Sequence, residues 1–307
     1  MGQLALVFPG QGTQAPGMGQ AIYRQSAAAR RVMDSAEQLM PGLLKLCFEG
    51  PMAVLTRTDV AQVALLTVEL ALAAAMDEIG IKPDAVAGFS LGEWPAVQYA
   101  GLLPFERAFE LVRQRGQWMQ ACADKRPGGM SAVLRLDAQQ VRQLLLDHPE
   151  VVAANFNAPE QTVVAGPFAP LDAFDAAVKA IGGRSMRLNV AGAFHSPLML
   201  SASDMLASAL AEQALSEPRL PVYANLSAQP YALHSAREWL ALQPSQSVQW
   251  VKTIENLAQA GVDRFLELGP GKVLSGLIGK ILPGALCLQA EDWEGLVAAK
   301  ARLEDSK

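Results

Sequence analysis

Gly88-Phe89-Ser90-Leu91-Gly92 fits the pattern G-x-S-x-G, with an apolar run before it and a helical pattern after it. That context predicts a tight strand-to-helix turn that holds the serine in a strained conformation. The flanking glycines let neighbouring backbone pass without Cβ clashes. The hydroxyl then stands at the carboxyl edge of a sheet, where the backbone N–H of Leu91 can face a developing oxyanion. Serine is a weak nucleophile without a base. Three histidines are available: His148, His195 and His234. His148 lies in a polar Asp-His-Pro-Glu turn, which predicts a solvent-facing ring, and His234 opens a loop or helix. His195, in Gly192-Ala193-Phe194-His195-Ser196-Pro197, follows a strand pattern and precedes a helix, so it is the expected base.

The elements that must position these residues alternate between strand and helix. Strands are expected at Leu4–Phe8 and Ala85–Gly88, and helices at Val60–Ile79, Glu93–Ala100 and Phe105–Ala121. Thr58 or Asp59 is a candidate cap for the first of these helices, with Gly80 at its end. Beyond Lys125-Arg126-Pro127-Gly128-Gly129 the pattern becomes βαββαβ, the ferredoxin-like arrangement, ending with a strand at Arg184–Val190. Alternating texture then resumes with a helix at Leu198–Glu212, strands at Pro221–Asn225, Arg264–Leu268 and Leu286–Gln289, and helices at Thr253–Ala260 and Lys272–Ile281. The expected fold class is α/β: a mainly parallel sheet flanked by helices, with an α/β-hydrolase-like core, plus an inserted small ferredoxin-like subdomain. The expected division is 1–125 with 192–307 for the large domain and 126–191 for the insert.

Composition narrows the function. The 307 residues are 51% hydrophobic and 18% charged with a net charge of −5, which excludes disorder and gives no basic stripe for nucleic acid. Val60–Met76 is apolar but interrupted by Gln62 and Glu69, so it reads as a buried helix and no membrane span is expected. The start, Met1 to Phe8, lacks a basic region and breaks at Pro9-Gly10, unlike a signal peptide. Cys47, Cys122 and Cys287 form neither a CxxC pair nor a zinc spacing, which predicts buried thiols, a cytoplasmic setting and no metal site. Gly269-Pro270-Gly271-Lys272 is followed by Val273, so it does not make a phosphate loop.

Taken with further motifs, the sequence resembles the malonyl-CoA:acyl carrier protein transacylase family over nearly its whole length. The resemblance rests on Phe8-Pro9-Gly10-Gln11-Gly12, the elbow with Glu93, and Arg115-Gly116-Gln117-Trp118-Met119-Gln120. It continues through Asn155-Phe156-Asn157-Ala158-Pro159-Glu160-Gln161, Phe194-His195-Ser196-Pro197-Leu198-Met199, Gln243 before Val248-Gln249-Trp250, and Glu267 to Leu274. It implies that Ser90 is acylated and that His195 takes and returns the proton. Gln11 and Leu91 would supply oxyanion N–H groups, and a backbone carbonyl near Gln243 would orient the imidazole. Arg115, which alone could be a helix-surface residue beside Arg113, would pair with the free carboxylate of a malonyl group, a match for a planar bidentate fork. The implied partners are malonyl-CoA, with coenzyme A thioester as substrate and no bound cofactor, and an acyl carrier protein. Phe89 stands where most of the family has histidine. Its side chain is expected to point away from the serine, and it is similar to the branch that serves malonate decarboxylase, whose other subunits would then be partners. Fatty acid synthesis is the alternative role.

Two other classes share parts of the pattern. A serine hydrolase or thioesterase of the α/β-hydrolase type has the elbow but places an acid between the serine and a late histidine. A non-catalytic CoA-thioester binding protein would leave Ser90 unmodified.

Overall fold

The computed structural model describes residues 2–305. The chain opens with strand β1 (Gln3–Phe8), whose last five residues are all buried because they sit mid-sheet, covered on both faces. Helices α1 (Gln20–Gln25), α2 (Ala27–Leu39), α3 (Leu43–Glu49) and α4 (Met52–Leu55) lead to α5 (Thr58–Glu78). Strand β2 (Ala85–Gly88) follows, then α6 (Glu93–Tyr99) and α7 (Phe105–Lys125). The middle of the chain holds β3 (Gly128–Leu134), α8 (Ala138–Leu145), β4 (Val152–Ala158), β5 (Gln161–Pro167), α9 (Phe168–Ala180) and β6 (Arg184–Arg187). The last part comprises α10 (Leu200–Ala211), β7 (Val222–Tyr223), α11 (Leu233–Leu242), α12 (Trp250–Gln259), β8 (Val262–Leu268), α13 (Val273–Ile281), β9 (Leu286–Ala290) and α14 (Trp293–Asp305).

Two sheets result. The larger runs β7-β2-β1-β8-β9, with every pairing parallel. The smaller runs β4-β5-β3-β6 and is antiparallel. Its order is the ferredoxin-like one, and α8 and α9 cover one face through Val133, Val141, Val164, Leu171, Phe174 and Val178. The expected fold class, a parallel sheet flanked by helices with a small antiparallel sheet, is the one observed. In the large sheet Phe8 pairs with Gly88, so the loops after β1 and β2 leave the same carboxyl edge side by side. Open α/β sheets form ligand crevices along that edge.

Several local expectations change. Neither Thr58 nor Asp59 caps α5; Arg57 holds the cap position without a side-chain bond, and Asp59 instead pairs with Arg57 at 2.8 Å. Helix α7 runs one turn beyond Ala121, to Lys125. Strand β6 stops at Arg187, because the next residues turn in to line a cavity. The helix expected from Leu198 opens as a 3-10 turn, Pro197–Met199. Helices α1 to α4 and α14 lie outside the expected elements: α1, α3 and α4 are short, and α2 carries a narrow stripe of Ala29, Met33 and Ala36; α11 takes the helix alternative at His234. Of the three thiols, Cys287 is only half-buried. Among the described residues α5 alone is long and apolar enough to cross a membrane, and 89% of that stretch is buried inside the protein.

Candidate active site

The elbow is built as its glycines require. A Cβ on Gly88 would lie 1.8 Å from the Gly92 carbonyl oxygen, and one on Gly92 would lie 2.0 Å from that of Phe8. Those approaches force Ser90 to a φ of 53°, in the left-handed region where a non-glycine residue is strained. Asn225, just past β7, holds the strained turn from both sides. Its Oδ1 accepts the Ser90 N–H at 2.7 Å and its Nδ2 donates to the Gly88 carbonyl at 2.6 Å. Glu93, fully buried, accepts from the Asn225 N–H at 2.8 Å and the Tyr231 hydroxyl at 2.6 Å. Burial pushes its carboxyl up to about 7, against those two bonds.

His195 arrives from the other side of the cleft, also left-handed with a φ of 57°. Its Nε2 lies 2.7 Å from Ser90 Oγ. Its Nδ1 faces the carbonyl oxygens of Gln243 at 3.0 Å and Gln246 at 3.1 Å. Carbonyls only accept, so the proton sits on Nδ1 and the Nε2 lone pair faces the serine. No carboxylate is needed to set that tautomer. Burial, then the positive charge of Arg115, lower the imidazole to about 4, which leaves it an unprotonated acceptor at neutral pH.

Arg115 is 1% exposed. It reaches the cleft because α7 lies close on the first turn of α5, where a Cβ on Gly116 would meet the Thr58 oxygen at 2.9 Å. Its Nη1 donates to Gln62 Oε1 at 2.5 Å and its Nη2 to Gln243 Oε1 at 2.6 Å, while Nε has no partner. Two neutral amide oxygens position the guanidinium without cancelling its charge. Burial lowers it to about 10, so it stays cationic, and Glu93 is the nearby charge that favours that form.

Gln11, Ser90, Leu91, Arg115 and His195 line one cavity of about 340 Å³, and Gln243 stands behind it, its Nε2 donating to the Ser90 carbonyl at 2.5 Å. The fold thus brings together all six residues singled out from the sequence. In the loop after β1, Gln14 is buried and its Oε1 accepts the Gly12 N–H at 2.7 Å, which shapes the turn that carries Gln11. His234 is exposed and apart from the cavity; His148 is not fully solvent-facing, since its ring stands edge-on to Phe174 at 5.4 Å. Phe89 only partly follows expectation: its ring packs edge-on against Trp250 at 5.5 Å, yet it also lines the cavity. Sequence reasoning missed Gln62, Asn225 and Gln14. Gln62 left a signal, a polar residue interrupting an otherwise apolar buried helix.

A model of the acyl transferase domain family matches residues 5–280. The chain belongs to that family. The acyltransferase is 38% identical over 288 residues to the malonyl CoA-acyl carrier protein transacylase of Bacillus subtilis strain 168, covering 92% of this chain and 91% of that one. It is 38% identical over 280 residues to the Synechocystis protein of the same name, covering 91% of this chain and 94% of that one. Its fold superposes with a TM-score of 0.96 on the malonyl CoA-acyl carrier protein transacylase of Clostridium perfringens, at 32% identity over 99% of this chain and 98% of that one. A similar likeness, TM-score 0.94 at 32% identity over 98% of this chain and 99% of that one, holds for a malonyl-transacylase solved with a type II polyketide acyl-carrier protein.

Proposed function

We infer that this acyltransferase moves a malonyl group from coenzyme A to the thiol of an acyl carrier protein through a malonyl ester on Ser90. His195 Nε2 takes the Ser90 Oγ proton as the oxygen attacks the thioester carbonyl. The oxyanion is held by the N–H groups of Gln11 and Leu91. The C–S bond then breaks, and the departing thiolate takes its proton from His195. The carrier thiol reverses these steps: its proton passes to His195, its sulfur attacks the ester, and Ser90 leaves with the proton returned. Arg115 pairs with the malonyl carboxylate, which displaces part of its contact with the two glutamine oxygens. Serine and imidazole supply the covalent and proton chemistry, so no resident cofactor or metal is called for, and a cytoplasmic setting belongs to the same reading. Residues 1–125 with 192–307 carry the reacting groups, and 126–191 complete the cavity wall.

The observation that carries this reading is the 2.7 Å Ser90–His195 contact inside a cavity that also holds a buried arginine without a carboxylate bonded to it. That cation favours an acyl group carrying a free carboxylate, and the acceptor is what separates transfer from hydrolysis. Intact-mass measurement after mixing with malonyl-CoA should show one malonyl adduct, absent in Ser90→Ala. The adduct should discharge to carrier thiol far faster than to water. An unchanged wild-type mass would favour a binding protein, and rapid loss to water an esterase. Phe89 keeps the malonate decarboxylase carrier as an alternative acceptor. Comparing discharge to a carrier with ordinary phosphopantetheine and to one with the decarboxylase's CoA-derived group decides between them.

A further inference from the structure

Strand β7 is only two residues long, and what replaces its continuation bears on Ser90. Val222 stands opposite Val86 and Tyr223 opposite Ala87, so the same register carries Asn225 opposite Phe89. The Pro221 carbonyl accepts the Val86 N–H at 2.9 Å, which makes Pro221, Tyr223 and Asn225 the positions that bond across to β2 in a parallel ladder. A strand residue in the place of Asn225 would donate its N–H to the Gly88 carbonyl and accept the Ser90 N–H. Both bonds exist, at 2.6 and 2.7 Å, but the side-chain amide of Asn225 makes them. Its backbone is engaged elsewhere: the N–H donates to Glu93 Oε1 at 2.8 Å and the carbonyl accepts the Gln249 N–H at 2.8 Å.

The substitution of side chain for strand has a physical reason. Ser90 has left β2 for a φ of 53°, and a regular strand cannot follow a left-handed turn, whereas a side chain can. Glu93 Oε1 also accepts the Tyr231 hydroxyl at 2.6 Å, and the Tyr231 N–H bonds the Val222 carbonyl at 2.8 Å, which ties the base of Asn225 back to β7. Gln243 Nε2 donates to the Ser90 carbonyl at 2.5 Å. Both backbone polar groups of the nucleophile are therefore held by amides, and Asn225 and Gln243 are each 1% exposed. Without the Asn225 amide, the Ser90 N–H and the Gly88 carbonyl would be buried and unpaired, a state the turn relieves only by moving.

We propose that Asn225 is a positioning residue for the nucleophile: its side-chain amide stands in for the missing strand and sets Ser90 Oγ against His195 Nε2. The proposal rests on Ser90 being the residue acylated in malonyl transfer. The role needs one donor and one acceptor in fixed places. Asn225→Ala removes both. Asn225→Asp keeps the shape: a protonated carboxyl supplies both, whereas a carboxylate only accepts and sets its charge against the Gly88 carbonyl. The titratable and charged groups around the position are Glu93, with Tyr231 and Arg115 beside it, and His195 beyond Ser90; the two variants share them. Acylation is followed by intact mass with malonyl-CoA and with an arylsulfonyl fluoride, which needs no carboxylate clamp. In the second reaction Ser90 Oγ forms the O–S bond, fluoride leaves and His195 takes the proton. Asn225→Ala should lose at least 100-fold in rate at saturating malonyl-CoA and a similar factor with the sulfonyl fluoride. Malonyl-CoA binding measured on a Ser90→Ala background should stay within threefold. Asn225→Asp should recover at least tenfold over Asn225→Ala at pH 5, and the recovery should fade as rising pH ionises the carboxyl. A merely structural residue would cost binding along with rate and show no recovery by the acid. Asn225→Ala within threefold of wild type, or Asn225→Asp no better than Asn225→Ala at pH 5, would overturn the proposal. Sulfonylation of wild-type Ser90 with no malonyl ester would count against malonyl transfer alone.

Discussion

His195 owes its protonation state to its enclosure. Burial and Arg115 hold the imidazole down to about 4, and two carbonyls fix its proton on Nδ1. It therefore stays neutral from pH 8 down to about 5, where an exposed histidine would already be charged. Imidazole ¹⁵N shifts should show His195 as the Nδ1–H tautomer throughout that range; a midpoint near 6.5 would contradict the enclosure. Arg115 is argued by the same physics in reverse. A buried guanidinium bonded to two amide oxygens gains most from a ligand that brings a carboxylate. Arg115→Ala should cost malonyl transfer about 2–4 kcal/mol and leave acetyl transfer nearly unchanged, read as kcat/KM with the two thioesters. Lysine should restore little, since one ammonium cannot reach Gln62, Gln243 and a carboxylate with the same fork.

Helix α5 shows why polar residues in an apolar element need individual accounts. Gln62 positions Arg115. Glu69, two turns further along, is fully buried and neither of its carboxylate oxygens has a hydrogen-bond partner. Burial, with the charge of Glu267 nearby, holds it well above the usual carboxylate range. Glu267 is better provided for: its two oxygens accept the N–H groups of Leu274 at 2.9 Å and Ser275 at 2.7 Å, at the start of α13. Glu69 thus stays protonated in the folded protein, while in the unfolded chain it ionises above about 4.5. The unfolded state releases a proton that the folded state keeps, so this residue lowers stability progressively as pH rises above that value. Glu69→Gln should raise Tm, with a gain that grows between pH 5 and pH 8. A gain independent of pH would mean that Glu69 is ionised in the folded state.

At the scale of the molecule the site is shared between two sheets. Ser90, Gln11 and Leu91 come from the carboxyl edge of the large one, whereas Met130 and Val163 belong to the small one and Leu188 directly follows β6. The two are joined where Val248 bonds through its N–H to the Ala154 carbonyl at 2.8 Å and its carbonyl accepts the Phe156 N–H at 2.9 Å. Those bonds lie two residues from Gln246, whose carbonyl helps orient His195. Filling the cavity from the small-sheet side should therefore disable the enzyme without touching serine or histidine. Leu188→Trp is expected to raise KM for malonyl-CoA more than tenfold. Tm should stay within a few degrees, because Leu188 is only half-buried.

The elbow was legible in the sequence because its chemistry is local: two glycines, a serine and an apolar strand within five residues dictate a strained turn. The α/β class was legible from hydrophobic period, while Gln11, Arg115 and Gln243 were singled out only through the family resemblance, since none of them stands in a pattern that marks a site by itself. Other features depend on residues far apart in the chain. Asn225 clasps Ser90 across 135 positions, and Gln62 meets Arg115 across 53. An isolated asparagine or glutamine carries no periodicity that would mark such a partner. The short helices α1, α3 and α4 also gave no sustained stripe, because helices of four to seven residues gain their stability from packing against their neighbours. By itself the sequence determined the fold class, through hydrophobic period, and singled out Ser90 through its local turn chemistry and His195 through the scarcity of other histidines. Only the tertiary structure decided the proton's place on His195, the neutral cradle of Arg115 and the burial of Glu69, because each is set by groups that folding alone brings within bonding distance.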